Sequence, residues 1–199
     1  MEEISETSKP HHHGNLRTAL VQAGLSILEI EGLQALTLRR CAQRAGVSHA
    51  APAHHFDGLI GLKGAIAQHG LVRLRNMMLA VSGGTKSDLD RLRGICRGYL
   101  DFATLHPALF RLMFGFEAHE RHHVLSDGNA AAYDVLRAAC RPFVTPDRPA
   151  PVLETQVWAL IHGYSTLYLA GNLIAEVQSV PGGGPFDDVM AALDRIVGA

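Results

Sequence analysis

Apolar residues recur along the chain at helical spacing, and no stretch alternates apolar and polar residues as a half-buried strand would. In the N-terminal part, such series cover residues 16–27, 38–45 and 57–79. Ser82 and the two glycines that follow it break the third series. The pattern therefore predicts a helix, a short second helix and a longer one after it.

The rest of the chain predicts five further helical segments, which cover residues 87–103, 107–114, 130–144, 152–177 and 186–197. Ser87 is expected to cap the first of them, because its hydroxyl can accept a backbone hydrogen bond and aspartates follow in the first turn. The segment from Val152 to about Val177 is apolar on most sides, so more than one neighbour must cover it. All predicted elements are helices, which makes the expected fold class all-α.

The composition is that of a soluble globular chain, with 199 residues, 47% hydrophobic and 19% charged. No apolar run approaches the roughly 20 residues needed to span a bilayer, and the polar N-terminus predicts no signal peptide. The three cysteines are widely spaced and odd in number, which argues against a disulfide framework or a cysteine-based zinc site. We expect a cytoplasmic protein with no membrane partner.

The net charge of −1 conceals an uneven distribution. Residues 14–80 contain seven Lys or Arg against three acids, whereas residues 81–199 contain ten against thirteen. A random fluctuation can give this imbalance. A DNA-binding lobe beside a second domain of another kind gives it as well.

The most informative segment runs from Thr37 to Phe56. Thr37 can cap a first short helix, and Gly46 can end it in a positive-φ conformation. Ser48 can then cap a second short helix. Two short helices joined by a glycine turn are typical of the DNA-binding helix-turn-helix, whose second helix enters the major groove.

A helical hairpin used only for core packing is the alternative interpretation of this segment. Against it, both helices are short, and the second presents polar residues instead of a continuous apolar face. The first helix carries three cations that would otherwise need another explanation, and these are Arg39, Arg40 and Arg44.

The same segment resembles the TetR family of bacterial repressors, in the pattern Thr37-Leu38-Arg39-x-x-Ala42-x-x-Ala45-Gly46-Val47-Ser48. The opening His12-His13-Gly14-Asn15-Leu16-Arg17 and the later Trp158-x-x-x-His162-Gly163 resemble a subgroup whose C-terminal domain is named for Trp-His-Gly. The resemblance implies a homodimer of all-helical subunits, each with an N-terminal three-helix DNA-binding domain and a C-terminal helical ligand-binding and dimerisation domain. We expect a disordered arm over 1–13, the helix-turn-helix domain over 14–60, a connecting helix over 61–80 and the sensing domain over 81–199.

Two departures from the family pattern affect the expected DNA contacts. Ala53 stands where the family often has Tyr, and Leu59 where it often has Lys; in the family those side chains commonly contact phosphates. We therefore expect phosphate contacts from Thr37, Arg39, His55 and Lys63, and contacts to base edges or nearby backbone from Ser48, His49, Ala50 and His54. Ala50, Ala51 and Ala53 can at most touch a thymine methyl.

A repressor also needs a site that senses a small molecule, and a pocket between helices is the usual solution. Aromatic and thioether side chains with a few polar tips are the candidate walls, and they favour an apolar effector: Phe102, Phe110, Met113, Phe114, Trp158, His162 and Tyr164. Core packing is the alternative for each of them. Trp158 and His162 are four residues apart and should touch each other.

Two other classes of function remain open at this point. The cluster of His119, His122 and His123 with nearby glutamates could make the chain a helical metal-binding protein or metalloenzyme. The glycine hairpin could instead serve a helical adaptor protein. We expect neither, and predict a ligand-responsive DNA-binding regulator that is not an enzyme, requires no cofactor or metal and binds a double-stranded DNA operator.

Overall fold

A computed structural model of the chain describes residues 13–84, 87–116, 128–172 and 186–198. Helices dominate these ranges, and within them we find no strand beyond one isolated bridge between Thr145 and Arg148, so the all-α prediction is confirmed. The helices are α1 (His13–Glu31), α2 (Leu38–Arg44), α3 (Gly58–Ser82), α4 (Asp88–Leu105), α5 (Pro107–Phe114), α6 (Gly128–Cys140), α7 (Ala150–Leu169) and α8 (Asp187–Val197), with 3₁₀ turns at Leu33–Ala35, Ala51–His54 and Arg141–Phe143.

The chain divides into two compact units, one up to Ile66 and the other from Ala67 onward. The boundary falls within α3, inside the 61–80 stretch predicted as a connecting helix. In the first unit, a buried core holds α1 and α2 together with the start of α3, and it consists of Leu20, Val21, Leu25, Ile27, Leu28, Leu36, Cys41, Leu62 and Ile66. The predicted arm lies outside the described residues except for His13, where α1 begins.

The second unit is built around α4, the most deeply buried of its helices. Gly98 lets α4 approach α3 closely, because a Cβ there would come within 2.7 Å of the Met78 backbone. Ser87 caps α4 as predicted, accepting a 3.0 Å hydrogen bond from the Asp90 amide. The amphipathic α8 docks on α4 through the Arg93–Asp194 ion pair, whose Nε–Oδ1 distance is 2.9 Å.

The prediction of one continuous helix from Val152 to about Val177 is wrong, because the helix is interrupted before Gly171; residues 173–177 lie outside the described residues. The helix α7 stops at Leu169 because Gly171 takes a φ of 70°. The amides of Gly171 and Asn172 then bond back to the carbonyls of Tyr168 and Leu167, each at 3.0 Å, which closes the helix end. Within the described ranges, none of the helices has the length and apolar character to cross a membrane.

Candidate nucleic-acid interface and ligand cleft

The start of α2 is fixed by Thr37, one of the predicted phosphate contacts. Its extended backbone precedes the helix, and its Oγ1 accepts a 3.2 Å hydrogen bond from the Arg40 amide. The predicted capping role is therefore confirmed. Both Thr37 and Arg39 lie exposed at this end of α2, where they can reach a phosphate.

The turn after α2 has the geometry that the glycine predicted. Gly46 takes a φ of 69°, and its amide bonds to the Gln43 carbonyl at 3.2 Å. The Val47 amide reaches back to the Ala42 carbonyl at 3.0 Å, which closes the helix end. This turn changes the chain direction directly before the residues expected to read DNA.

The second element of the motif differs from the prediction of a Ser48-capped α-helix. It is a single 3₁₀ turn, Ala51–His54, and it has no side-chain cap. Ser48 contributes its backbone carbonyl instead, which accepts from the Ala51 amide at 3.1 Å. Pro52 has no amide hydrogen to donate, so the short i to i+3 bonds of Ala51, Ala53 and His55 take the place of a regular helical ladder.

This 3₁₀ turn, with the residues leading into it, forms a reading turn over residues 48–55. The residues predicted to contact bases lie exposed, and these are Ser48, His49, Ala50, Ala53 and His54, whereas Ala51 is half-buried. Pro52 and Phe56 are buried and anchor the turn, and the Arg17 guanidinium lies 5.3 Å from the Phe56 ring centre. His55 and, on α3, Lys63 are half-buried. A short rigid turn of this kind presents small and imidazole side chains outward.

The arginines of α2 fall into two groups. The sequence analysis counted all three as evidence for DNA binding, and the structure gives two of them another role. Arg40 and Arg44 both pair with Glu31 at the end of α1, and Arg44 also donates to the Ser26 hydroxyl at 2.7 Å. These two cations join α1 to α2, so their presence on α2 does not depend on DNA binding. Arg39 forms no ion pair with any residue that the structure describes, so it is the α2 cation best placed for a phosphate.

In the second unit, most of the predicted effector-contacting aromatics gather around His162. Its ring centre lies 4.7 Å from that of Phe114, 5.5 Å from Phe110 and 6.0 Å from Trp158. The predicted contact between Trp158 and His162 is therefore present. The Tyr99 hydroxyl lies 2.8 Å from His162 Nδ1.

Tyr99 is a member of this cluster that sequence reasoning did not select. It lies within the apolar stripe of α4, where it looks like a core residue, and it is in fact only 3% exposed. Burial raises its pKa well above the usual range for tyrosine, and a hydrogen bond with Trp158 opposes that shift. The signal that could have found it is its hydroxyl, since a buried phenol needs a polar partner.

Two cavities border the cluster. An open cleft of about 270 Å³ lies between α5 and α7 and is lined by Phe110, Phe114 and His162 among others. A small pocket of about 30 Å³, lined by Phe114, Trp158 and Tyr99 among others, has room for about one water molecule.

Three of the predicted ligand contacts line neither cavity. Phe102 is fully buried, with its ring 5.3 Å from that of His106, and Met113 is buried near Gly70. Tyr164 packs on Phe186 of the α7–α8 contact, at 5.7 Å between ring centres. Their positions favour the core-packing alternative for these three side chains.

A larger open cleft of about 650 Å³ lies between α3, α4 and α6 and contains none of the predicted ligand contacts. The metal-site alternative cannot be located, because His119, His122 and His123 lie outside the described residues. Within the ranges that the structure does describe, no three His, Cys, Asp or Glu residues are grouped to hold a metal ion.

A known family model matches most of the second unit. Residues 92–195, about half of the chain, match the family model described as "Tetracyclin repressor-like, C-terminal domain". A search of curated proteins gives no significant match.

Several solved structures resemble the whole chain. A protein of unknown function from Rhodococcus sp. RHA1 is 29% identical, with a TM-score of 0.74, and the match covers 96% of this chain and 97% of that one. A TetR transcriptional regulator from Streptomyces coelicolor is 18% identical with a TM-score of 0.65, covering 92% and 95% of the two chains. BioQ, solved with its double-stranded DNA operator, is 19% identical with a TM-score of 0.61, also covering 92% and 95%. The last two likenesses show a common fold, and the family match over residues 92–195 shows that the chain belongs to the TetR family.

Proposed function

We propose that this chain is a transcriptional repressor, not an enzyme, that binds an operator in double-stranded DNA and is controlled by a small apolar molecule. The observation that carries the proposal is the reading turn, in which every predicted base-contacting side chain lies outward while Pro52 and Phe56 anchor the turn from inside. A hairpin that served only for packing would bury this face. We assign the DNA contacts by position. Phosphates are contacted by Thr37, Arg39, His55 and Lys63, and bases are contacted by residues 48–54.

The repressor would act as a homodimer through α7 and α8. The face of α7 that points away from its own core carries exposed apolar residues, with Val152 45% and Leu167 47% exposed. Gly163 lies on the same helix, and a Cβ there would meet no atom of the described residues within 4 Å. A second copy packed on this face would bury it isologously and would present two reading turns to half-sites about 34–36 Å apart.

The effector would bind in the second unit, in the cleft beside Phe110, Phe114 and His162. Aromatic walls with a few polar groups are typical of pockets for small apolar molecules. Trp158 and His162 take part in one partly buried aromatic cluster, which supports assignment of the chain to the Trp-His-Gly subgroup. We place the protein in the cytoplasm, where its operator would lie.

Selection of bound fragments from random DNA, followed by gel-shift titration at several salt concentrations, tests the proposal. We expect one palindromic consensus, bound by a dimer, with an affinity that falls as salt rises by a log–log slope of about 0.9 per phosphate contact. Absence of an enriched sequence, or binding that salt does not weaken, would overturn it.

A further inference from the structure

The second unit has an open cleft of about 650 Å³ that plays no part in the proposed function. It is bounded by the last turns of α3 with the two glycines that follow, by the second turn of α4 and by one face of α6. Its volume lies in the range of about 300–1,000 Å³ that is typical of sites for small molecules. The cleft is therefore large enough to hold a ligand of its own.

The cleft exists because two of its helices meet closely and the third presents short side chains. A Cβ at Gly94 of α4 would come within 2.8 Å of Ser82 Cα, so α3 and α4 leave no space between them at this point. The side chains of α6 that line the cleft include three small or medium ones at four-residue spacing, and these are Ala131, Val135 and Ala139. Because these side chains are short, the space between α6 and α3 stays open.

The apolar part of the cleft is aliphatic. Leu79 and Ile95 line it beside Val135, and none of the described residues that line it is aromatic. Ile95 is buried, whereas Leu79 is 40% exposed, so part of its apolar surface remains in contact with water. An alkyl chain lying in the cleft would cover this surface, and removal of apolar surface from water favours binding.

Two arginines line the same cleft, one on α3 and one on α4. Neither the Arg75 nor the Arg91 guanidinium has an ion-pair or hydrogen-bond partner among the described residues. The one acid in the described lining, Asp134, is paired with Arg137 at 3.0 Å. The cleft therefore has a net positive charge. A guanidinium is weakly hydrated and matches the geometry of carboxylate and phosphate oxygens, so it suits an anionic head group.

We propose that this cleft binds an amphipathic anion, in which an alkyl chain lies on Leu79, Ile95 and Val135 and a carboxylate or phosphate head contacts Arg75 and Arg91. An alkyl alcohol fits less well because it leaves both cations without a counter-charge, and an alkyl ammonium is repelled by them. The inference goes beyond the proposed function. This site differs from the aromatic cleft between α5 and α7 in its position, in its lining and in the charge that it favours.

Four decyl compounds of the same chain length test the proposal by calorimetry on the full chain without DNA: decanoate, decyl phosphate, decanol and decyltrimethylammonium, each below its micelle concentration. We expect the tighter anion to bind about tenfold more strongly than decanol, as two ion pairs at an open cleft allow, and the cation to bind most weakly. Which anion is tighter distinguishes a carboxylate ligand from a phosphate ligand. Anions that bind no more tightly than decanol, or a preference for the cation, would overturn the proposal.

Variants connect this preference to the cleft. Arg75→Gln and Arg91→Gln should each lower the affinity for the anion about threefold and leave the affinity for decanol unchanged, because each removes one charge. Ala131→Phe should weaken the binding of anion and alcohol alike, since its ring fills space that the alkyl chain would occupy. Arg141→Gln removes an exposed arginine that follows α6 and does not line the cleft, so it is the matched control and should keep the full preference.

Two further measurements locate the ligand. Circular dichroism should show all four variants folded, because the substituted side chains are exposed. NMR of the methyl-labelled chain should show contacts from the decyl chain to Leu79 and Ile95; contacts near Phe110 and Phe114 instead would place the anion in the aromatic cleft and overturn the proposal. Operator binding is measured separately, and an anion bound here by a chain that selects no operator would contradict the proposed function but not this inference.

Discussion

At the scale of single residues, the reading turn meets its partner with small and imidazole side chains. Ala50 and Ala53 offer little more than a methyl group, while His49 and His54 supply donors and acceptors that can distinguish base edges. Lys63 lies on α3 and contributes a positive charge that attracts phosphates whatever the base sequence. Substitution of a histidine of the turn and substitution of Lys63 should therefore affect DNA binding in different ways.

We predict that His49→Ala changes the preferred DNA sequence, whereas Lys63→Ala weakens binding to all sequences alike and lowers the salt slope by about 0.9. The reason is that a base contact carries sequence information and a phosphate contact does not. Gel-shift titration on the selected operator and on scrambled DNA measures both effects. Equal losses on both DNAs for the two variants would remove the distinction.

The buried thiols predict a loss of stability in alkali. Burial raises the pKa of Cys140 to about 12, and it also raises the pKa of Cys96. Below about pH 8 both thiols are almost fully protonated whether the chain is folded or not, so stability does not change on their account. Above pH 9 the unfolded thiols ionise first, which lowers the free energy of unfolding by up to about 1.4 kcal/mol per pH unit for each thiol.

Urea denaturation between pH 7 and 11 measures this dependence, and Cys140→Ala should remove the share of one thiol. A native chain whose cysteines react readily with a thiol reagent at pH 8 would contradict the burial on which the prediction depends.

At the scale of elements, the ion pairs of Glu31 connect α1 to α2. Arg40 and Arg44 of α2 both reach this carboxylate of α1. The three side chains are partly exposed, so their contribution to stability is modest, but we expect them to set the angle at which α2 presents the reading turn.

Glu31→Gln should therefore cost the fold roughly 1 kcal/mol and reduce operator affinity by more than that loss of stability explains. Asp147→Asn removes the same charge from an exposed turn of the second unit and is the matched control. Thermal denaturation and gel-shift titration measure the two effects. An unchanged operator affinity would show that the angle of α2 does not depend on these ion pairs.

The helices themselves could be predicted well, and their ends less well. Periodicity located all eight described helices, and Thr37, Gly46 and Ser87 marked ends correctly, because caps and positive-φ glycines act through local backbone chemistry. The end of α7 was missed because its apolar pattern continues past Gly171. The reading turn was predicted as an α-helix because a sequence pattern does not separate four 3₁₀ residues from one helical turn.

The candidate site shows a similar division. The outward face of residues 48–54 could be predicted from polar residues beside a capping pattern. The pairing of Arg40 and Arg44 with Glu31 and the bond between Tyr99 and His162 could not, because each joins residues that only the packing of different helices brings together. The same limit applies to Phe102 and Met113, whose types suit a pocket wall and a core equally well.

At the scale of the whole molecule, the open position at Gly163 predicts how the proposed dimer can be separated into monomers. Gly163→Gln should leave the protomer folded, since no residue that the structure describes occupies the space that a side chain would enter, and it should prevent close approach of a second α7. Light scattering should then show monomers. Ala138→Gln on α6 is the control and should remain dimeric; a dimeric Gly163→Gln chain would mean that this face lies outside the interface.

The carboxylate of Glu31 has one more consequence, for the time that the protein spends on the wrong DNA. It pairs with two of the three α2 arginines, and its single negative charge cancels one of their three positive charges, so each proposed reading head has less charge with which to displace counterions from an arbitrary duplex. In the proposed repressor, attraction to random genomic sequence is then weaker, and fewer copies are held away from the operator by the excess of competing sites. Fewer molecules per cell are therefore needed to keep the operator occupied.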